Sequence, residues 1–235
     1  MKARHYILPV TLAFLCLPPA FAQVADTTYL SELKKELRIE WPKNRRINIV
    51  FHGHSVPAGY WENHEVHTLE SYPNLFLKAL KEKYPYAVVN VIVTAIGGEN
   101  SLKGATRFEP EVLSHQPDVV FIDYALNDRF LPLEKTREAL EKMIKAAQAR
   151  NIKVVMVTPS PDQRIDISDP SNPLDPYAAQ IRELAARYHT GLADPYADFQ
   201  QIVKEGKLKE VMSSVNHPNR EGHMVIVNRL LPYFF

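Results

Sequence analysis

Among its 235 residues this chain has one long apolar run, one cysteine and almost no excess of charge of either sign, and each shortage excludes something. The run, Tyr6 to Leu17, is too short to cross a bilayer comfortably. It follows the positive residues Lys2 and Arg4 and precedes Ala20-Phe21-Ala22, a small-x-small cleavage site. Residues 1–22 are therefore expected to be an export signal, with the mature chain starting near Gln23 in the periplasm or outside the cell. Pro9, Pro18 and Pro19 count against an uncleaved anchor. Cys16 lies inside that segment, and Leu15 stands where a lipid-modification signal wants a small residue. The mature chain is thus expected to have no thiol, which rules out a disulfide or a cysteine-based metal site and suits an oxidising compartment. Lys and Arg number 28 against 27 Asp and Glu, giving a net charge of +1. These charges are interspersed, so no basic face is offered to nucleic acid or to an anionic membrane. No repeat or low-complexity tract interrupts residues 23–235, and about 210 residues suit a single domain with a sizeable core.

What the sequence does contain is an alternation of two patterns. Ile47-Phe51, Ala87-Val93, Val119-Tyr124 and Val154-Thr158 are short β-branched runs without polar alternation, and Gly191-Asp194 is a weaker fifth. Such runs read as strands buried on both faces. Helical spacing appears over Thr28–Ile39, Leu69–Lys83, Leu133–Arg150, Ala178–Tyr188 and Glu221–Leu230. In the second of these, Leu75, Leu77 and Leu80 are expected to face a core. Ser160 to Pro176, rich in Pro, Asp and Ser, reads as a long surface loop. Strand and helix in alternation predict a parallel sheet covered by helices on both faces, an α/β fold. Reacting groups in such sheets gather outside the carboxyl ends of the strands.

Four segments meet that condition. After the first strand comes His52-Gly53-His54-Ser55-Val56-Pro57, a turn that can hold the Ser55 hydroxyl at the sheet edge, although an ordinary serine-capped helix start has the same look. It differs from the G-x-S-x-G elbow because Pro57 stands at the second glycine. After the second strand comes Ile96-Gly97-Gly98-Glu99-Asn100-Ser101, whose glycines let backbone N–H groups turn into a cleft. After the third comes Ala125-Leu126-Asn127-Asp128, with a carboxamide donor at Asn127. Before the last helix comes Ser214-Val215-Asn216-His217-Pro218-Asn219, with an imidazole able to act as proton acceptor.

Taken in order, the four segments resemble the blocks of the SGNH (GDSL-like) serine hydrolase family, from Ile47 to about Tyr233. The resemblance implies a flavodoxin-like three-layer α/β/α sandwich with a five-stranded parallel sheet. It also implies Ser55 as nucleophile, His217 as base, and Gly98 and Asn127 as oxyanion donors. The spacing to Gly104 and Arg107 favours Gly98 over Gly97. Two positions depart from the family. His54 stands where Gly-Asp-Ser has its aspartate. Ser214 stands where an aspartate three residues before the histidine orients the imidazole, and in a triad enzyme loss of that carboxylate lowers kcat by about 10⁴. Ser214 itself can accept from the ring N–H; otherwise Asp194, or after it Asp198, is expected to supply a carboxylate.

His52, His54, His64 and His67 invite a metal reading, but His64-Glu65-Val66-His67 lacks the zinc-protease spacing and no third ligand accompanies His52 and His54. No cofactor or metal is expected. Tyr60, Trp61, Tyr72 and Tyr124 fall in or beside the active loops, and Tyr60, Trp61 and Tyr124 are taken as candidate sugar-docking residues. Export together with acyl-ester chemistry points to an O-acylated carbohydrate, or a small ester, as substrate. The rival readings are an acyltransferase, or a weakened scaffold that binds acylated glycans.

Overall fold

In the computed structural model, which describes residues 26–235, five parallel strands form one sheet in the order β2-β1-β3-β4-β5. The strands are β1 (Arg46–Gly53), β2 (Val88–Val93), β3 (Val119–Asp123), β4 (Lys153–Val157) and β5 (Gly191–Ala193). The export segment expected over residues 1–22 lies outside the described residues. Alternate strand residues divide between two cores, which is why the strands show no polar alternation. Ile47, Ile49 and Phe51 of β1, Val119 and Phe121 of β3, and Val155 and Val157 of β4 face one side. Val50, Val120, Ile122, Val154 and Met156 face the other.

The first core is closed by α1 (Ser31–Glu36), α3 (Tyr72–Lys83), α8 (Pro195–Lys204) and α9 (Arg220–Leu230), through residues such as Leu33, Phe76, Phe199 and Ile226. At its centre Phe51 stacks on Phe121 with centroids 4.5 Å apart, and Phe76 meets both rings edge-on. Contacts of this kind contribute about 0.5–1.5 kcal/mol each beyond the area they bury. The second core is closed by α4 (Ser101–Glu111), α6 (Leu133–Gln148) and α7 (Asp175–Arg187), through Phe108, Met143, Ile144 and Leu184. Two one-turn helices, α2 (Ser55–Ala58) and α5 (Ala125–Asp128), leave the carboxyl ends of β1 and β3. Among the described residues, no helix is long and apolar enough to cross a membrane.

The three-layer flavodoxin-like architecture is the one expected, and four of its details differ. The first helix covers only Ser31–Glu36, and Leu77 is half-buried while its neighbour Phe76 fills the core. Helices α4 and α8 do not stand out in the sequence. Gly104 and Pro110 interrupt the period of α4, and α8 opens with Pro195 directly after the β5 exit. The Ser160–Pro176 stretch is not a free surface loop. Ser160, Asp162, Ile167, Asn172 and Leu174 are buried, and Arg129 grips the Asp162 carboxylate at 2.6 Å.

Candidate active site

Ser55 follows β1 after one intervening residue, His54, and opens α2, so its side chain emerges at the carboxyl end of that inner strand. His217 approaches from a tight turn ahead of α9. In that turn the backbone N–H groups of Ser213 and Ser214 both donate to the His217 carbonyl, at 3.0 and 3.3 Å. Asn219 then caps α9 by accepting from the Gly222 N–H at 3.0 Å. The two side chains, 162 positions apart, meet with Ser55 Oγ 2.9 Å from His217 Nε2. On the far side of the ring Ser214 Oγ lies 3.1 Å from Nδ1. If Nε2 accepts the Ser55 proton, Nδ1 must carry the ring hydrogen and Ser214 Oγ accepts it. Burial lowers the His217 pKa below the ordinary imidazole range, with the nearby His54 and His64 adding to the effect. The ring is therefore a free base at neutral pH.

The turn that carries His217 is braced from outside. Gln163 donates its backbone N–H to the Val215 carbonyl at 2.7 Å and its side-chain amide to the Ser214 carbonyl at 2.8 Å. Gln163 was not singled out in the sequence. A polar residue in a Pro- and Asp-rich loop carries no local sign that it reaches a segment some fifty residues onward.

Gly98 sits in the left-handed region at φ +74°, where a side chain would be strained, and a Cβ there would meet nothing within 4 Å. The position thus needs glycine for its backbone conformation and leaves its own side open. Asn127, in α5, donates through Nδ2 to the Glu99 carbonyl at 2.8 Å. This ties the end of β3 to the glycine turn and uses one of the two Nδ2 protons. The Glu99 side chain is held in turn by Arg107, with Nε at 2.8 Å, and by the Tyr124 hydroxyl, which donates at 2.7 Å. Burial works to raise the Glu99 pKa, but Arg107 and Tyr124 outweigh it and the carboxylate stays ionised.

Tyr124 is accordingly not a sugar-docking residue. Its ring is fully buried, and its hydroxyl lies 3.0 Å from His52 Nε2 as well as bonding Glu99. Tyr72 is likewise buried, its hydroxyl donating to Asp123 Oδ2 at 3.1 Å. Tyr60 and Trp61 remain partly exposed. The Tyr60 ring packs so close to Gly97 that a Cβ there would fall 2.7 Å from it, and its centroid is 6.0 Å from that of His217. Trp61 stacks flat on His67 at 4.4 Å, and Glu65 and Glu70 flank that imidazole and raise its pKa.

Asp194 does not orient His217. Its carboxylate is committed to Arg182, with Nε at 2.9 Å, and to the Thr158 hydroxyl at 2.8 Å. Asp198 is paired with Arg229. In both cases an arginine on a neighbouring helix supplies a nearer and stronger partner than an imidazole. His52 and His54 have separate surroundings: His52 bonds Thr94 and Tyr124, whereas His54 faces Asp123.

Comparison with known proteins adds a second line of observation. A family model described as the GDSL-like lipase/acylhydrolase family matches residues 51–225. An acetylxylan esterase of Geobacillus stearothermophilus is 20% identical over 164 residues, covering 65% of this chain and 75% of the relative. Among solved structures, a two-domain esterase (CEX) active on acetylated mannans aligns with a TM-score of 0.73 and 20% identity, over 89% of this chain and 53% of that one. This chain therefore spans about half the length of that two-domain protein. The acetyl xylan esterase AlAXEase aligns with a TM-score of 0.67 and 25% identity, over 80% of this chain and 100% of the other.

Proposed function

We propose, for a chain that belongs to the GDSL-like lipase/acylhydrolase family and is a serine carboxylic ester hydrolase, that it removes acetyl or other short acyl groups from carbohydrate outside the cytoplasm, using Ser55 and His217. The observation that carries this reading is the 2.9 Å approach of His217 Nε2 to Ser55 Oγ at the carboxyl edge of the sheet. Ser55 Oγ attacks the ester carbonyl while Nε2 takes its proton. The backbone N–H groups of Ser55 and Gly98 and the second Nδ2 proton of Asn127 receive the oxyanion. His217 returns its proton to the departing sugar oxygen, and water then hydrolyses the acyl-serine. The leaving group must lie on the His217 side of the carbonyl, where Tyr60 is the nearest aromatic ring. Tyr60, with Trp61 beyond it, is the sugar platform in this reading. The acetylxylan and acetylated-mannan activities of the relatives support an acetylated polysaccharide as substrate. Export rests on the segment over residues 1–22, and on the same reading residues 23–235 form one catalytic domain.

The test is direct. Purified protein given a nitrophenyl acetate should release a burst of nitrophenol equal to the enzyme present, and should free acetate from acetylated xylan or mannan oligosaccharides. A protein that shows neither, and whose Ser55 stays unlabelled by a serine-reactive phosphonate, is not the enzyme proposed.

Ser214 supplies a graded prediction. A hydroxyl leaves the imidazolium that forms during attack without an ionic partner. Ser214→Asp is expected to raise kcat about ten-fold, because a carboxylate beside Nδ1 stabilises that cation. The pH profile fixes the sign. The wild-type kcat/KM should fall on the acid side with a midpoint below the ordinary imidazole value, since burial disfavours the protonated ring. In Ser214→Asp the midpoint should move upward, because a negative neighbour favours protonation. An unchanged midpoint would mean that position 214 does not sense the base.

A further inference from the structure

The residue directly before the nucleophile is a buried histidine, and its two ring nitrogens have different tasks. His54 Nδ1 accepts the backbone N–H of Val56 at 3.3 Å and so caps the turn that carries Ser55. A nitrogen that accepts carries no hydrogen, so the ring proton sits on Nε2. Nε2 lies 3.3 Å from Asp123 Oδ1, and both side chains are buried, at 0% and 3% exposure. The approach is a close contact rather than an aligned hydrogen bond, and among the described residues neither atom has a hydrogen-bond partner. Asp123 is the last residue of β3, in register with Gly53 of β1, and the strands are pressed so close there that a Cβ on Gly53 would fall 2.4 Å from the Asp123 carbonyl.

We propose that the His54–Asp123 pair is a positioning device that locks the Ser55 turn at the end of β1 to the Asn127 segment at the end of β3. This rests on the reading of Ser55 as nucleophile and Asn127 as oxyanion donor. The oxyanion site draws one donor from each of those strand exits, and its geometry holds only if the exits keep a fixed separation. The other polar groups facing the pair are consistent with Asp123 as the single anion touching His54. The Tyr72 hydroxyl donates to Asp123 Oδ2 at 3.1 Å. Asp128, which lies near enough to feel both side chains, accepts the Ser101 N–H at 2.8 Å, and burial pushes its carboxyl pKa up to about 6, so that it is the weaker anion of the two. His223, close behind, is a neutral acceptor for the Tyr72 N–H at 3.2 Å.

Aspartate at position 54, the usual residue of the Gly-Asp-Ser motif, should be harmful in this chain because Asp123 already occupies the facing position. His54→Asp and His54→Asn are nearly identical in shape, and both can cap the Val56 N–H, so they differ in charge alone. With Asp123 present, His54→Asp should have a kcat at least ten-fold below that of His54→Asn at similar KM. In an Asp123→Asn background the gap should shrink to less than two-fold. A gap below two-fold with Asp123 present, or one of equal size in both backgrounds, would overturn the pairing. If either aspartate variant fails to fold, ring-nitrogen NMR of the ¹⁵N-histidine-labelled wild-type protein decides: His54 should be protonated at Nε2, and protonation at Nδ1 rejects the inference. Stoichiometric phosphonate labelling of Ser55 in the wild type keeps the two questions apart. Labelling with no charge coupling sinks the positioning pair alone, and no labelling sinks the nucleophile.

Discussion

Ser55→Ala should abolish ester hydrolysis, with a loss on the order of 10⁶ in kcat, the scale seen when a serine hydrolase loses its nucleophile. The melting temperature should fall by no more than a few degrees, because what is removed is one hydroxyl and its bond to His217, worth about 1 kcal/mol. His217→Ala should be comparably inactive. The double variant should be no worse than either single one, since residues that act as a unit lose their contribution together. Steady-state kinetics on a nitrophenyl acetate, with calorimetry on the same samples, check all three. A Ser55→Ala protein that keeps wild-type turnover would place the nucleophile elsewhere.

The second large effect belongs to Asn127. Its amide joins two segments by donating one proton to the Glu99 carbonyl, and in the proposed mechanism the other proton serves the oxyanion. Asn127→Ala is expected to lower kcat by about 10²–10³ with little change in KM, the measured scale for one oxyanion donor. Asn127→Asp should be worse than alanine, because a carboxylate would face both the Glu99 carbonyl and the developing negative charge. If KM rises at constant kcat in Asn127→Ala, the amide binds ground-state substrate rather than the transition state.

How far the sequence discloses this site depends on the range of each interaction. The meeting of Ser55 and His217 was legible because each stands at a predictable strand exit or helix start, and the fold itself brings such ends together. The parallel sheet with helices on both faces followed from alternating patterns, whereas the strand order β2-β1-β3-β4-β5 comes from the structure. Asp194 shows where such reading stops. From its position alone it is a free carboxylate at the exit of β5, yet Arg182 of α7 and Thr158 after β4 hold it, and neither partner is announced locally. Tyr124 misled in the same way. An aromatic at the end of β3 could face the cleft or the sheet, and the Glu99 carboxylate with Arg107 beside it drew the hydroxyl inward. Gln163 and the His54–Asp123 pair were invisible for the converse reason, since ordinary-looking residues acquire their roles from contacts across the fold. Helix α4 was missed because Gly104 and Pro110 break its apolar period, while Asn100 caps it in a manner easily taken for a turn.

The distance along the chain between the two central groups has a consequence for when the protein becomes active. Ser55 leaves β1, which lies inside the sheet between β2 and β3, and its partner arrives only after β4, β5 and α8 have been added. Contacts of such sequence separation form late, because closing so long a loop is entropically costly until the intervening structure is in place. The hydroxyl and the imidazole are therefore strangers in every partly folded form that lacks the final turn and helix. An amino-terminal fragment with a perfect serine turn is expected to be inert toward esters. Hydrolytic competence is in this sense a signature of the finished sheet rather than a property of any one motif.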